Sequence, residues 1–594
     1  MTAAVLLVPT AASATPPSVA KTPTAVGTGG AVSIGTGGAV ATVDADATAA
    51  GVRVLRQGGN AVDAAVAAAG VLGVTEPYSS GLGGGGFFAY YDAKTKQVST
   101  IDGRETAPAA YRRDTLTEGG VPIPFLDAVT SGLSNGVPGT PATWAKALRQ
   151  WGTWSLGEAL APGAQLAQRG FVVDQTFQDQ TAQNVERFNA FPATRRLFLP
   201  GGHLPVVGSR LTNPDLARTY AEIARHGVGT IYGGPIGADI VKTTQHPPVD
   251  PASPLTVRPG LMTLADLRSY TAPNHSPTQV SYHGLDVYGV APPSSGGTTI
   301  GESLNILENF DLRAMSNTQY FQHYLEATRL AFADRNRYVG DPSYVDVPRQ
   351  ALLSQGFARE RACLIDPHQA GTSPAPPGNP DGSYRACRPA HGVGAASGHE
   401  GINTTNMTVA DRWGNVVEYT LTIEQTGGSA ITVPGRGFLL NNELTDFDFV
   451  PLVPGVPDPN LPAAGKRPRS SMAPTIVLRG GTPYLAVGSP GGSTIITTVL
   501  QILLGRLDRG LTLPQAIAAP RAAQRDSTTT TAEPEFIARY GPALESLGQA
   551  FALQTPDPAI GAATGIEFLG HGRLLAAAEP TRRGGGAAAV VHPR

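Results

Sequence analysis

Only two cysteines, Cys363 and Cys387, occur in the 594 residues. That scarcity excludes a disulfide framework standing in for a hydrophobic core, and with no CxxC or HxxxH beside them they give no zinc-ligand pattern. Charge is scarce too. Asp, Glu, Lys and Arg make up 15% of the chain and the net charge is −2, so the sequence carries no electrostatic footprint for nucleic acid or an anionic membrane. No run of 18 or more apolar residues is present, which excludes a membrane-spanning helix. The 11 histidines form no HExxH and no close pair, so neither a catalytic metal nor another cofactor is expected. The glycine run Gly81–Gly86 lacks the strand-and-helix setting of a dinucleotide site and has no Lys-Ser/Thr behind it for a phosphate loop.

What the chain does have is glycine and proline, 72 and 51 residues spread along its length, with 41% hydrophobic side chains. This is the composition of a loop-rich globular protein long enough to bury a large core. A short apolar run and an Ala12-Ser13-Ala14 step suited to signal peptidase make residues 1–26 read as a secretory signal and unstructured tail, hence a secreted or extracytoplasmic protein. The first positive side chain is Lys21, so a basic n-region is missing and a disordered Ala-rich tail is the competing reading. In an oxidising compartment Cys363 and Cys387 are candidates to pair, worth roughly 3 kcal/mol on the chain-entropy model. The alternative is two unrelated buried thiols.

Along the chain, Asp46–Gln57 has helical apolar spacing and stops at Gly58-Gly59. Asn60 then caps a second, Ala-rich helix running to about Gly70. Phe87–Tyr91 and Val98–Ile101 read as a hairpin. Residues 140–350 are dominated by helical patterns, among them Pro141–Gln150, Pro214–His226 and Thr318–Arg337. From 366 to 400 the composition is that of a flexible linker, rich in Pro, Gly and Ser without periodicity. The character then switches. Thr404–Ala410, the polar turn Asp411–Asn415 and Val416–Ile423 read as strand, turn, strand. A second hairpin follows at Thr475–Leu478 and Tyr484–Val487, then a helix from about Thr497 to Leu507 and late strands near Ala576 and Val590. Mixed strands and segregated helices point to a layered α/β or α+β fold.

At the switch stands Gly401-Ile402-Asn403-Thr404-Thr405-Asn406. A Thr hydroxyl is a poor nucleophile without a base beside it, and cutting the chain so that its own α-amine becomes that base is one solution. Taken alone the Thr pair is a weak signal, because Thr favours strands. The surrounding motifs are stronger: Gly-Gly-Asn-Ala-Val-Asp-Ala-Ala-Val-Ala (58–67), Glu-Pro-Tyr-Ser-Ser-Gly-Leu-Gly-Gly-Gly-Gly-Phe (76–87), Asp-Gly-Arg-Glu-Thr-Ala-Pro (102–108), Pro-Pro-Ser-Ser-Gly-Gly (292–297), Ala-Asp-Arg-Asn-Arg-Tyr-Val-Gly-Asp-Pro (333–342), Gly-Phe-Leu-Leu-Asn-Asn-Glu-Leu-Thr-Asp-Phe (437–447), Lys-Arg-Pro-Arg-Ser-Ser-Met-Ala-Pro-Thr (466–475), Gly-Ser-Pro-Gly-Gly-Ser (488–493) and Ala-Pro-Arg (519–521). With these the chain resembles the γ-glutamyltranspeptidase family of N-terminal-nucleophile hydrolases over roughly residues 27 to 590.

The resemblance implies an α+β fold, the four-layer αββα sandwich of those hydrolases, built from two autoprocessed subunits. The cut falls between Asn403 and Thr404, leaving a large subunit of residues 27–403 and a small catalytic one of 404–594 that stay together as a heterodimer. Thr404 is the expected nucleophile and base, Thr422 its orienting partner, and the backbone N–H groups of Gly491 and Gly492 the oxyanion hole. Arg104, Ser470 and Ser471 match the set that holds a donor α-carboxylate, and Glu443 and Asp446 the residues that hold its ammonium. The implied activity is γ-glutamyl transfer or glutathione hydrolysis through a Thr ester, on small γ-glutamyl substrates such as glutathione, with water, an amino acid or a peptide as acceptor.

One position departs from the family pattern. Glu424 stands two residues after Thr422, where the best-known transpeptidases carry Asn, and an ionised carboxylate accepts but cannot donate hydrogen bonds. The lid segment 447–465 is short, Pro-rich and without Tyr, which suggests a more open pocket. Both features leave room for a cephalosporin-acylase-like or polyglutamate-cleaving amidohydrolase of the same family. An unprocessed binding protein is the third reading. Gly132-Leu133-Ser134-Asn135-Gly136 fits the G-x-S-x-G pattern literally, but Pro138 and Gly139 follow at once where a nucleophile elbow needs a helix.

Overall fold

The computed structural model describes residues 30–593 apart from 389, 391, 396, 397, 399, 400, 402, 556 and 558. The expected signal segment, 1–26, lies outside them. The first two helices follow the sequence signals. Helix α1 (Ala45–Arg56) ends before Gly58-Gly59, and α2 (Ala61–Thr75) begins at a reciprocal cap in which Asn60 Oδ1 accepts from the backbone N–H of Val62 and Asp63 while Asp63 Oδ2 accepts from that of Asn60. α2 runs beyond the expected end at Gly70. Its glycines give room for a neighbour rather than a stop: the Tyr220 hydroxyl donates to the Gly70 carbonyl at 2.9 Å and would meet a Cβ on Gly73. Helices α3 (Thr140–Trp151), α4 (Pro214–His226), α5 (Gly296–Leu307), α6 (Asn317–Tyr338), α7 (Gln355–Ala362) and α8 (Thr494–Leu507) complete those used below.

The architecture is mixed α/β, built on one large antiparallel sheet. Its strands among the described residues are β1 (Val32–Thr42), β2 (Gly85–Asp92), β3 (Gln97–Asp102), β4 (Asn274–His275), β5 (Thr278–Tyr282), β6 (Leu285–Gly289), β7 (Thr405–Asp411), β8 (Val416–Thr422), β9 (Thr475–Arg479), β10 (Thr482–Gly488), β11 (Thr564–Gly570), β12 (Arg573–Ala578) and β13 (Ala587–Pro593). The spatial order is β4-β3-β2-β8-β7-β1-β12-β11-β10-β9-β6-β5, with β13 also on β1. The strand β1 joins the two halves. Val32–Thr36 pair with β12 and Gly38–Thr42 with β7, the change falling at Gly37-Gly38, whose φ values of +86° and +121° only glycine adopts readily.

Alternation along β7 and β8 sends Met407, Val409, Val417, Tyr419 and Leu421 into one apolar core with α1 and α2. The intervening Asn406, Thr408, Glu418 and Thr420 form a buried polar face that meets Thr564 at the start of β11. A second core gathers Val280, Val287, Val477 and Leu485 with α5 and α8.

The segment 366–400 differs from its expected character. It has little regular structure, but its described residues are tied down. The Gly378 N–H donates to Asp334 and the Ala375 N–H to Asp526, Asn336 of α6 donates to the Ala395 carbonyl, and Cys363 and Cys387 are bonded with their Cα atoms 4.9 Å apart. Composition reports the missing apolar period. It is blind to buried acids elsewhere in the chain that take up the segment's backbone donors.

Candidate active site

The site grows from the register of β7 and β8. Thr405 stands opposite Leu421 and Asn406 opposite Thr420, so the next rung brings Thr404 beside Thr422, both on the polar face. Their hydroxyl oxygens are 3.5 Å apart. The chain is continuous here, and both hydroxyls donate to one acceptor, the Asn403 carbonyl: Thr404 Oγ1 at 2.5 Å and Thr422 Oγ1 at 2.9 Å. Asn403 is fixed in turn. Its Nδ2 donates to the Tyr78 carbonyl at 2.9 Å, and its Oδ1 accepts from Ser79 Oγ at 3.0 Å and the Thr404 N–H at 3.1 Å. Thr404 is 3% exposed. A hydroxyl aimed at a carbonyl that a second hydroxyl polarises is the geometry for acyl transfer within the chain. On its other side Thr404 presents its carbonyl to Arg583 Nη1 at 2.7 Å, a contact with no motif-level signal in the sequence.

Arg104 follows β3 and is 1% exposed. Its guanidinium pairs with both Glu443 and Asp446 and also donates to the carbonyls of Pro468 and Arg469. Groups that the sequence reading assigned to opposite charges of a substrate are here bound to each other. Ser471 Oγ accepts from Arg335 Nη2 at 2.8 Å, and the same guanidinium donates to Ser295 Oγ at 2.7 Å. Sequence reasoning quoted Arg335 within the 333–342 stretch but gave it no part in the site. Ser470 Oγ accepts from the Met472 N–H, and its carbonyl accepts from Ser295 Oγ.

Glu424 has a φ of +80° and is buried. Its Oε2 accepts from the Asn442 amide, while Oε1 has no hydrogen-bond partner among the described residues and lies where a Cβ on Gly401 would fall. Burial, and then the negative charge of Asp446, push its carboxyl well above the usual range. Gly491 and Gly492 have φ values of +136° and +56°, and Thr494 Oγ1 donates to the Gly491 carbonyl at 2.7 Å.

One cavity is lined by Arg104, Thr404, Thr422, Glu424, Glu443, Asp446, Ser470, Ser471 and Gly492, together with Gly401, Asn403, Met472 and Ile495. Gly491 adjoins it. The expected openness is not what the uncut chain displays. Gly401 lies within the cavity, its N–H reaching Asp446 Oδ1 at 3.4 Å, and Gly398 leaves no room for a Cβ against Asp448 of the lid segment. The literal G-x-S-x-G match is absorbed structurally: Ser134 lies in a buried 3₁₀ turn and donates to the carbonyls of Ser131 and Val129.

A family model described as Gamma-glutamyltranspeptidase matches residues 47–590. The glutathione hydrolase proenzyme of Bacillus subtilis (strain 168) is 40% identical over 488 residues, 81% of this chain and 79% of that protein. The acylase ACY 1 proenzyme of Pseudomonas sp. (strain SE83) is 34% identical over 486 residues, 80% of each. Among solved structures, a cephalosporin acylase from Bacillus halodurans superposes with a TM-score of 0.82 at 26% identity, covering 96% of this chain and 98% of that one.

Proposed function

The chain belongs to the γ-glutamyltranspeptidase family, and on that premise we propose that it is a self-processing γ-glutamyltransferase and glutathione hydrolase working through an ester on Thr404. The observation that carries this reading is the pair of hydroxyls on the Asn403 carbonyl. In processing, Thr404 Oγ1 attacks the Asn403 carbonyl carbon while Thr422 Oγ1 donates to the oxygen that becomes negative. The C–N bond breaks as the hydroxyl proton passes to the departing nitrogen, the acyl group passes to Oγ1, and water hydrolyses the ester to leave an Asn403 carboxylate, a restored Thr404 hydroxyl and a free Thr404 amine. That amine, with a reference pKa of roughly 7.7–8.0, is suited to general-base work near neutral pH.

In turnover the amine takes the hydroxyl proton as Oγ1 attacks the γ-glutamyl carbonyl. The N–H groups of Gly491 and Gly492 hold the oxyanion, the leaving amine departs protonated, and water or an acceptor amine releases the acyl group. Arg104 with Ser470 and Ser471 would hold the donor α-carboxylate, and Glu443, Asp446 and Glu424 its ammonium. A zwitterion suits this exchange, because it replaces the Arg104 ion pairs without changing the net charge of the cavity. The finer architecture we assign is the four-layer αββα sandwich, with residues 27–403 and 404–594 as its two subunits. An extracytoplasmic location is supported by the bonded Cys363 and Cys387.

Purified protein is expected as two polypeptides on a denaturing gel, the smaller beginning Thr-Thr-Asn-Met, with γ-glutamyl anilide turnover. Thr404→Ala is expected as one inactive chain. Full activity in a wild type that stays uncut would overturn the mechanism. Glu424 and the acylase relatives favour a second reading with the same machinery, a glutaryl- or cephalosporin-type acylase, which a substrate panel separates from the first.

A further inference from the structure

Asp446 comes just before the lid segment 447–465 and Arg469, Ser470 and Ser471 come shortly after it, and one buried side chain of the segment joins the two ends. Asn460 is 1% exposed and lies outside the residues that line the cavity. Its Nδ2 donates to the Asp446 carbonyl at 2.7 Å, and its Oδ1 accepts from the Arg469 N–H at 2.8 Å. One partner is an acceptor and the other a donor, which a side-chain amide serves together and an ionised carboxylate does not. The backbone of Asn460 is engaged as well. Its N–H donates to Asp458 Oδ1 at 2.9 Å, and its carbonyl accepts from the Asp448 N–H at 3.1 Å. Lys466 grips both flanks: its buried ammonium donates to the Pro459 carbonyl at 2.7 Å and the Leu461 carbonyl at 2.8 Å.

The two residues that Asn460 joins are also joined through the cavity, because Arg104 Nη2 donates both to the Asp446 carboxylate and to the Arg469 carbonyl. A donor α-carboxylate that takes the Arg104 guanidinium from Asp446 undoes that second link. The Asn460 link uses backbone groups alone and does not take part in the exchange.

We infer that Asn460 is a positioning residue for the donor site: it holds Asp446 at a fixed distance from Arg469, Ser470 and Ser471, so that the spacing survives when a donor displaces the Arg104 ion pair. This rests on the reading of Asp446 as a partner of the donor ammonium and of Arg104, Ser470 and Ser471 as partners of its carboxylate. A zwitterion spans both sides and depends on their separation. Glutarate, which has the carbon chain and carboxylates of L-glutamate without the amine, engages the carboxylate side only. A spacing set in advance therefore favours the α-amino donor, since no binding energy goes into assembling the two sides around it.

Processed wild type, Asn460→Ala and Arg337→Ala are compared by calorimetric titration with L-glutamate and with glutarate. Arg337 donates to the Pro457 carbonyl at 3.0 Å, so its variant loosens the same segment and leaves the amide bridge in place. Wild type is expected to prefer L-glutamate. In Asn460→Ala that preference is expected to shrink by about tenfold, with the affinity for glutarate within about threefold of wild type, while Arg337→Ala keeps the wild-type ratio. A wild type that does not prefer L-glutamate overturns the ammonium reading of Asp446 and this proposal with it. A wild type that discriminates, beside an Asn460→Ala that discriminates equally or an Arg337→Ala that loses as much, overturns the proposal alone. Where Asn460→Ala does not yield a folded, cut enzyme, a crystal structure of processed wild type with L-glutamate decides. The Asn460 amide still on Asp446 and Arg469, with the ligand ammonium at Asp446, supports the proposal, and an amide released from either residue overturns it.

Discussion

Arg104 is the residue on which the substrate reading turns, because in the uncut chain it is already satisfied by Glu443, Asp446 and two carbonyls. A donor must exchange those ion pairs for its own, which a planar fork can do with a second planar anion and a single ammonium cannot. Arg104→Lys is therefore expected to leave processing intact and to lower kcat/KM for a γ-glutamyl anilide by about 10- to 100-fold. Unchanged kinetics would remove Arg104 from the donor site. Glu424 allows an internal comparison. Its unpartnered Oε1 faces the cavity, and a substrate ammonium there would stabilise the ionised form that burial now disfavours. Glu424→Gln should then weaken γ-glutamyl donors more than glutaryl analogues lacking the amine. An equal effect on both would make Glu424 structural, and a wild type that already prefers the glutaryl compound would favour the acylase reading. The residue types at this site were legible in the sequence motifs. Which of them pair with one another was not, since Arg104 lies 339 and 342 positions before Glu443 and Asp446 in the chain and the pairing depends on how the loops close over it.

At the scale of elements, the hairpin of β7 and β8 was readable because an apolar face packed into the core alternates with a polar one, and the same alternation supplies both Thr404 and Thr422. The polar face has its own consequence. Glu418 accepts from Asn406 Nδ2 at 2.6 Å, and burial pushes its carboxyl well above the usual range. Between the ordinary carboxyl value of roughly 4.3 and that raised one, the folded chain holds a proton that the unfolded chain has lost, so unfolding free energy falls as pH rises through this window. Glu418→Gln keeps the acceptor for Asn406 and cannot ionise. Its Tm is expected to gain on wild type progressively as pH rises above the ordinary carboxyl value of roughly 4.3, while Glu105, Glu302 and Glu424, raised in the same direction, act alike in both proteins. Parallel Tm curves would show that Glu418 does not carry this linkage. Elements whose character depends on distant partners were less legible. The end of α2 was placed too early because Gly70 and Gly73 signal a stop locally and a Tyr220 contact only in the fold. The segment 366–400 read as free because its anchors, Asp334, Asn336 and Asp526, lie outside it.

For the whole molecule, the sheet order decides what a cut at Asn403–Thr404 can do. Residues before the cut supply β1 to β6 and residues after it β7 to β13, and the two sets interleave. β2 pairs with β8, β1 with β7, β12 and β13, and β6 with β9. Both large cores also draw from the two sides, with Val62 and Val417 in one and the register pair Val287 and Val477 in the other. Parting the subunits would open strand edges along every one of those pairings and expose both cores, an outcome far less favourable than the loss of a single peptide bond. The processed enzyme is thus expected to elute as one species of the same size as uncut Thr404→Ala, to stay together on dilution, and to unfold in urea in one transition followed alike by fluorescence and by circular dichroism. Two transitions, or a small subunit that leaves the column separately without denaturant, would mean that the interleaved sheet is not what holds the cut chain together. The same order explains how Arg583 comes to reach the Thr404 carbonyl. The chain must run through β11 and β12 before the turn that precedes β13 can reach the opening of β7, so a residue near the C-terminus meets the residue that follows the proposed cut.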